Sequence, residues 1–406
     1  MGQYAHHNYS MQEGVFRPQV PTKVIFGEGK ASALKAELDE LGGRRALLLS
    51  GRSVAEKTDA VRTIANALGD RCVGVYSGLT QRAPLATAVA ATRMALASKA
   101  DTLVGVGGST ITDAARMIGF MMAEGITSDE RLRELSHEQR GLLRPDLAGK
   151  SLPLQIAIPT TLSAGEYNMG GGKVLDDRAG RMIHVHNTAF FAHLILLDPA
   201  LTVGTPDWLW FSSGIKAMDH CVERLYTKGN QPAIDAPVLM GAELLFRFLP
   251  QSGEGQHDLH ARLQCQIASW LSMAGVPNNA MGLSHALGHV IGVRYAVNHG
   301  YTSCVTLPAV MEFNRPASAH KQALLARAAG LDTRGMSEDA AATAAAKAID
   351  DLILQVGMPH TLRQLNIPKE DFLAIAELTL GDGGCAYNPI PITSPGQVIS
   401  VLEKAW

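Results

Sequence analysis

Short apolar segments recur along the first half of this 406-residue chain, and they constrain the fold more than any other feature. Longer amphipathic stretches separate them. Buried strands that alternate with helices are typical of βαβ units, in which the strands form one parallel sheet. The sequence therefore predicts a parallel sheet with strands near residues 23–27, 46–51, 72–78, 102–108, 152–161 and 193–199.

The second half of the chain has a different residue pattern. Beyond about Pro206 the strand-like segments stop, and long stretches rich in alanine and leucine follow, interrupted by glycine and proline. This change predicts an α/β domain over residues 1–200 and an all-helical domain over residues 201–406. Residues 124–150 are polar and charged, and we interpret them as an excursion or lid that contains a short helix.

Composition and charge exclude several classes of partner. The formal net charge is -2 and 46% of the residues are hydrophobic, so we expect a globular protein that binds neither nucleic acid nor an anionic membrane. The chain has no apolar run long enough for a membrane span, and its first residues lack the apolar region of a secretory signal. Five scattered cysteines without a CxxC pair indicate reduced thiols and a cytoplasmic location.

Two loops that follow predicted strands carry candidate cofactor-binding residues. A glycine-rich turn before a helix can hold a pyrophosphate on backbone N–H groups, although a plain strand-to-helix turn has the same appearance. A loop rich in hydroxyl groups can bind phosphate, ribose or nicotinamide, or it can cap the next helix together with Glu166. The candidates are Gly107, Gly108, Ser109 and Asp113 in the first loop, and Thr160, Thr161 and Ser163 in the second.

Histidines in the second half form the third candidate group. Residues 214–220 are predicted to begin a helix that carries Lys216 and His220. His285 and His289 are four residues apart and share a helix face, and His299 follows in a predicted loop. Histidines that converge between helices would form a metal site or an acid–base site. Taken singly, each histidine is more typical of an ordinary core or surface position.

In order and spacing, these segments resemble the iron-containing alcohol dehydrogenase superfamily. The resemblance extends from Phe26 to Pro389 and rests on VGGSTITDAAR, PTTLSAGE, LLDP, GIKAMDHCVE, GLSHALGH, NHG and LPAVMEFN. It implies an N-terminal dinucleotide-binding domain for NAD or NADP, an all-helical C-terminal domain, and an active site in the cleft between them. Relatives are often dimers, so it also implies a homodimer.

The resemblance also implies roles for particular residues. Gly107, Gly108, Ser109 and Asp113 would lie on the cofactor side, and Thr160, Thr161 and Ser163 would line the pyrophosphate and nicotinamide region. The four metal positions would be Lys216, His220, His285 and His299, with His289 as a further histidine near the substrate. Arg116 stands where the family usually has lysine.

Lys216 is the departure that matters most, because it stands at the position of an aspartate ligand. A protonated ammonium group cannot coordinate a metal ion and repels it at short range. Asp219 lies three residues on, where a helix would turn its side chain about 60° away. We therefore expect a metal-independent site, as in the maleylacetate reductases that the chain resembles in this respect. The chain differs from them in PTTLSAGE and in residues 124–150.

The expected reaction is hydride transfer from NAD(P)H to a carbonyl or conjugated alkene of a small substrate, anionic if it is maleylacetate-like. Lys216 would polarise the oxygen, and His220, His285, His289 or His299 would supply the proton. Arg52, after the second strand, favours NADP. If Lys216 instead reached solvent or only paired with Asp219, it would have no catalytic role.

Three other functions remain open. The first is an iron- or zinc-dependent alcohol dehydrogenase that holds its metal on His220, His285 and His299. The second is a relative of dehydroquinate synthase or glycerol dehydrogenase, which share the two-domain plan but need an intact metal site. The third is a non-catalytic nucleotide-binding protein.

Overall fold

The computed structural model describes residues 16, 23–139, 141–253, 258–276 and 278–406. Nine strands occur in this part of the chain: β1 (Lys23–Phe26), β2 (Ala46–Gly51), β3 (Cys72–Leu79), β4 (Thr102–Gly107), β5 (Leu142–Leu143), β6 (Leu154–Pro159), β7 (Gly171–Asp176), β8 (Arg181–His186) and β9 (Leu194–Leu197). Six of them form a parallel sheet in the order β1-β9-β6-β4-β2-β3. The predicted parallel sheet is thus confirmed, and each of its strands lies within or close to a predicted segment.

Helices cover both faces of this sheet. They are α1 (Leu34–Glu40), α2 (Arg52–Lys57), α3 (Ala60–Leu68), α4 (Leu85–Ala97), α5 (Ser109–Glu124) and α6 (Asp129–Glu138). Successive residues of a strand point to opposite faces, so Leu47 and Leu49 pack with α4 and α5 while Leu48 packs with α1 and α3. Because both faces of the sheet are buried, these strands appear in the sequence as continuous apolar runs.

A second, three-stranded sheet has the order β5-β8-β7, with β7 and β8 forming an antiparallel hairpin. Sequence analysis did not predict these strands. Val174, Ile183 and Val185 point into the core beneath the hairpin. A Cβ atom on Gly172 would lie 2.8 Å from the backbone of Asp113 and of Met117, so only glycine lets β7 pack this closely on α5.

Helices make up the rest of the described chain. They are α7 (Asp207–Tyr226), α8 (Pro232–Phe248), α9 (Leu259–Leu271), α10 (Leu283–Arg294), α11 (His299–Ala328), α12 (Glu338–Gln355), α13 (Phe372–Leu380), α14 (Gly384–Tyr387) and α15 (Pro395–Lys404). The fold class is therefore as predicted, an α/β part with a parallel sheet followed by a helical part. None of the described helices has the length and apolar character that crossing a membrane requires.

Two local predictions are wrong. The helix that carries Lys216 begins at Asp207 and not near Gly214, so Lys216 lies in its middle. His299 is the first residue of α11 and does not lie in a loop, because the Asn298 side chain accepts a hydrogen bond from the N–H of Gly300 and caps the helix. Helix α7 is buried almost continuously from Trp210 onward, as expected for a central helix.

Candidate active site

The two candidate cofactor loops meet at the carboxyl ends of β4 and β6, which are neighbours in the sheet. Gly107 has a φ of +150°, a conformation that glycine adopts without strain. The Ser163 hydroxyl accepts a hydrogen bond of 3.2 Å from the N–H of Ser109 and lies 2.9 Å from the Thr161 hydroxyl. In open α/β sheets, ligands bind in the crevice at this end of the strands.

Arg116 holds the surroundings of these loops together from within the protein. Its buried guanidinium donates hydrogen bonds to the carbonyl oxygens of Gly165, Glu166 and Gly171, at 3.0, 3.1 and 3.2 Å. It also lies 3.5 Å from the carboxylate of Asp113. One side chain therefore joins α5, the hydroxyl-rich loop and β7. Burial raises the pKa of the neighbouring Glu166 to about 7.

Lys216 forms a buried ion pair. Its Nζ lies 3.2 Å from Oδ2 of Asp219, and the side chains are 5% and 0% exposed. The Ser303 hydroxyl donates to the same oxygen at 2.6 Å. Burial lowers the pKa of Lys216, while the carboxylates of Asp219 and Glu223 act in the opposite direction.

The offset of about 60° between Lys216 and Asp219 on the helix therefore does not keep their charged groups apart. Residues three apart are neighbours on a helix surface, and the long lysine side chain spans the remaining separation. The alternative in which Lys216 reaches solvent is wrong. The alternative in which Lys216 pairs with Asp219 agrees with the observed contact. That contact alone does not decide whether Lys216 takes part in the reaction.

His285 is fixed by Glu223. Its Nδ1 lies 2.7 Å from Oε2 of Glu223. The same Oε2 accepts the N–H of Gly282 at 2.8 Å, and Oε1 accepts the N–H of Ser284 at 2.7 Å. Burial raises the pKa of Glu223 to about 8, while these N–H donors stabilise its carboxylate. The Nε2 atom of His285 and Oδ1 of Asp219 are buried without a hydrogen-bond partner in the described part of the chain.

The four predicted histidines do converge. The ring centroids of His220 and His285 are 5.0 Å apart, those of His285 and His299 are 6.1 Å apart, and His289 stacks on His299 at 5.5 Å. Burial lowers the pKa of His220, His285 and His299 well below the usual value, and the charge of Lys216 lowers each further. These three imidazoles are therefore neutral at pH 7.

His289 differs from the other three because its side chain is 58% exposed. Its Nδ1 lies 2.8 Å from Oδ2 of Asp382, and this hydrogen bond is the main cause that lowers the pKa of Asp382. His289 is thus the histidine of the cluster whose side chain is open to solvent, and Asp382 fixes the orientation of its ring.

One group of side chains in the described residues could offer ligand atoms to a metal ion, but a lysine lies beside it. Asp219, Glu223 and His285 bring ligand atoms within 4.8 Å of one another. However, both Glu223 oxygens already accept hydrogen bonds, and Oδ2 of Asp219 is shared by Lys216 and Ser303. A cation bound at Asp219 would also lie close to the Lys216 ammonium group, which repels it.

Sequence reasoning missed several of these residues. Glu223 carried a signal, because it lies three residues after His220 and four after Asp219 on one helix. Asp382 and Ser303 carried none, since they lie 93 and 84 residues from their partners, His289 and Asp219.

A cavity of about 880 Å³ lies elsewhere in the molecule. Its lining comes from α3 and from residues near 29–32, 57–59 and 198–204, and includes none of the candidate residues. The candidate site is therefore defined by its side chains and by the end of the sheet, and not by this cavity.

In α/β proteins, the carboxyl end of a parallel sheet is a common binding place for a nicotinamide dinucleotide, the cofactor that exchanges hydride with a substrate. The chain is an NAD-dependent oxidoreductase that acts on alcohol or carbonyl groups. More narrowly, it belongs to the iron-containing alcohol dehydrogenase family, whose models match residues 21–199 (Iron-containing alcohol dehydrogenase) and 211–406 (Fe-containing alcohol dehydrogenase family, C-terminal). The resemblance noted in the sequence is thereby confirmed.

Relatives with different activities match nearly the whole chain. Dehydrogenase ALT3 of Alternaria alternata is 28% identical over 90% of this chain and 99% of its own length. Maleylacetate reductase 1 of Cupriavidus pinatubonensis is 27% identical and covers 92% of each chain. Among solved structures, 1,3-propanediol oxidoreductase superposes with a TM-score of 0.86 at 25% identity, over 97% of this chain and 100% of that one.

Proposed function

We propose that this protein is a metal-independent NAD(P)H-dependent reductase that transfers hydride to a carbonyl or conjugated alkene of a small anionic substrate of the maleylacetate type. The observation that carries the proposal is the buried Lys216 at the position where the family resemblance implies a carboxylate ligand. A fixed cation there replaces the positive charge that a metal ion would supply.

The cofactor would bind to a domain formed by residues 1–200, with 124–150 as a lid, and the reaction would use side chains from residues 201–406. We assign cofactor binding to Gly107, Gly108, Ser109 and Asp113 and to Thr160, Thr161 and Ser163. The contact between Ser109 and Ser163 supports this assignment, because it brings the two loops to one place. Arg52 is exposed at the start of α2 and favours NADPH, since it can pair with a 2′-phosphate.

The proposed mechanism divides the work between Lys216 and His289. The two candidate loops would hold NAD(P)H, which would supply the hydride. Lys216, held by Asp219, stabilises the negative charge that develops on the substrate oxygen. His289, oriented by Asp382 and open to solvent, donates the proton that completes the reduction and regains one from solvent. His220, His285 and His299 line the site as neutral groups.

A second candidate function is an iron- or zinc-dependent alcohol dehydrogenase. The observation in its favour is that His285 Nε2 and Asp219 Oδ1 are buried without partners, as ligand atoms would be before a metal binds. In the first proposal, these atoms instead meet polar groups of the substrate. The relatives include both a maleylacetate reductase and a 1,3-propanediol oxidoreductase, so they support either function.

Metal analysis combined with an assay tests the proposal. The protein is purified without added metal, its iron, zinc and manganese are measured, and oxidation of NADH and NADPH is followed with maleylacetate and with simple aldehydes. We expect substoichiometric metal and turnover that a chelator does not change. One metal per chain, with turnover lost on chelation, would establish the alcohol dehydrogenase instead. Tight NAD(P)H binding without any turnover would indicate a non-catalytic nucleotide-binding protein.

We propose a homodimer, as the family resemblance implies, that acts in the cytoplasm, as the five scattered cysteines without a CxxC pair indicate. Light scattering of the purified chain measures the first, and a monomer would contradict it.

A further inference from the structure

We propose that Lys173 and His184, which face each other on the β7–β8 hairpin, bind a carboxylate group of the substrate. This inference rests on the proposed function and deepens it, because it names the side chains that recognise the anionic part of the molecule.

The hairpin register places the two side chains together. Lys173 and His184 are directly paired across the antiparallel strands, so their side chains leave the same face of the hairpin. The residues on the opposite face, Val174, Ile183 and Val185, are buried in the core. Lys173 and His184 therefore lie on the other face of the hairpin, and both are exposed.

This face of the hairpin adjoins α10, which carries two of the histidines. The N–H of Leu175, two residues after Lys173 on β7, donates to the carbonyl oxygen of Arg82 at 3.1 Å, and the Arg82 guanidinium donates to the carbonyl oxygen of Gly292 on α10. Burial lowers the pKa of Lys216 and of His299, and the positive charge of Lys173 lowers both further. Lys173 Nζ also lies 3.4 Å from the carboxylate of Asp113, on the helix that begins at the glycine-rich turn. The pair thus lies between the candidate cofactor loop and the histidines.

The charges around the pair are incompletely balanced. Asp113 is the acidic partner of Lys173, but it also lies 3.5 Å from the buried Arg116. The Lys173 side chain is 49% exposed, so its ammonium group retains room for a further acceptor.

The chemistry of the pair selects the class of ligand. An ammonium group and an imidazole N–H are donors that match the two oxygens of a carboxylate. A neutral alcohol or aldehyde gains little from them. The favoured substrate therefore carries a carboxylate in the same small molecule as the reducible group, as an oxo acid or an unsaturated dicarboxylate does.

The test compares Lys173→Gln and His184→Gln with the unchanged protein, using the full chain. Maleylacetate and a neutral short-chain aldehyde are assayed with the same cofactor, and the Kd of NAD(P)H is measured by fluorescence. We expect the KM for maleylacetate to rise about 10- to 100-fold in Lys173→Gln, with the aldehyde KM and the cofactor Kd unchanged. Arg178→Gln, which removes an exposed positive charge from the turn of the same hairpin, should leave all three values unchanged.

A binding measurement separates this inference from the proposed function. Succinate, a saturated dicarboxylate with no group to reduce, is titrated into the complex of the enzyme with NADPH, and its Kd is obtained without turnover. Weaker succinate binding in Lys173→Gln would support the anion site even if no substrate were reduced. Unchanged succinate binding, or a rise in the Kd of NADPH alone, would overturn it, and the latter result would assign Lys173 to the cofactor.

Discussion

The ammonium group of Lys216 lies 3.2 Å from a carboxylate oxygen of Asp219, one helical turn further along α7. The family resemblance leads one to expect the acid at position 216, so the negative charge has moved by one turn and a positive charge has taken its place. Removing an ion pair from water costs several kcal/mol per ion, and apolar side chains of similar volume would fill the same space without that cost. We therefore infer that the buried pair beside four histidines serves the reaction.

Replacement of Lys216 by methionine tests the electrostatic role. We expect Lys216→Met to lower kcat about 100- to 1000-fold, because a preorganised charge at the developing oxyanion is lost, while the Kd of NAD(P)H stays unchanged. Steady-state kinetics and fluorescence titration measure the two quantities. Lys347→Met removes an exposed lysine and serves as the control. Unchanged turnover in Lys216→Met would leave the lysine without a catalytic role.

Replacement of Lys216 by aspartate should convert the site. The variant has a carboxylate at position 216 together with His220, His285 and His299, a donor set that suits zinc or iron. We expect about one metal ion per chain by plasma mass spectrometry after incubation with zinc and desalting. Lys216→Asn removes the same positive charge without adding a carboxylate, and we expect it to bind substoichiometric metal. Equal metal in the unchanged protein would contradict a metal-independent site.

Glu166 should make stability depend on pH. Burial raises the pKa of this group from 4.5 to about 7, so between these values the folded protein binds more protons than the unfolded chain. Stability is therefore lost as the pH rises from about 4.5 to about 7. We expect Glu166→Gln to gain about 3 kcal/mol in unfolding free energy relative to the unchanged protein between pH 4.5 and pH 8.

Urea denaturation at several pH values measures this difference. The exposed Glu377→Gln is the matched control, and we expect it to show no pH-dependent gain. A constant difference between Glu166→Gln and the unchanged protein would show that Glu166 titrates alike in the folded and unfolded chains.

Arg116→Lys should loosen the cofactor loops. Lysine keeps the charge but cannot reach three carbonyl oxygens in the planar geometry of a guanidinium group. We expect a loss of about 2 to 4 kcal/mol in unfolding free energy and a higher Kd for NAD(P)H. Thermal unfolding and fluorescence titration measure the two effects. If stability falls while the cofactor Kd is unchanged, Arg116 supports the fold but does not position the loops.

The main sheet could be predicted from sequence because its strands are buried on both faces and therefore form uninterrupted apolar runs. The β7–β8 hairpin could not be predicted from sequence. It begins with Gly171 and Gly172 and places Lys173 and His184 on one face, and glycine and lysine are uncommon in strands. Part of the candidate site could be predicted from helical spacing, because residues four apart, such as His285 and His289, share a helix face. Partners such as Asp382 come from distant parts of the chain, and only the packing of the helices brings them in.

Helices α7 and α11 approach each other at Gly300, where a Cβ atom would lie 2.5 Å from the carbonyl oxygen of Ser212. Ser303 lies about one turn after Gly300 and Asp219 about two turns after Ser212, and the Ser303 hydroxyl contacts the Asp219 carboxylate. The gap between the helices is thus set by the one residue that has no side chain. Even a single methyl group at position 300 would act as a spacer, separating the hydroxyl from the carboxylate and changing the site without altering any residue that touches the substrate.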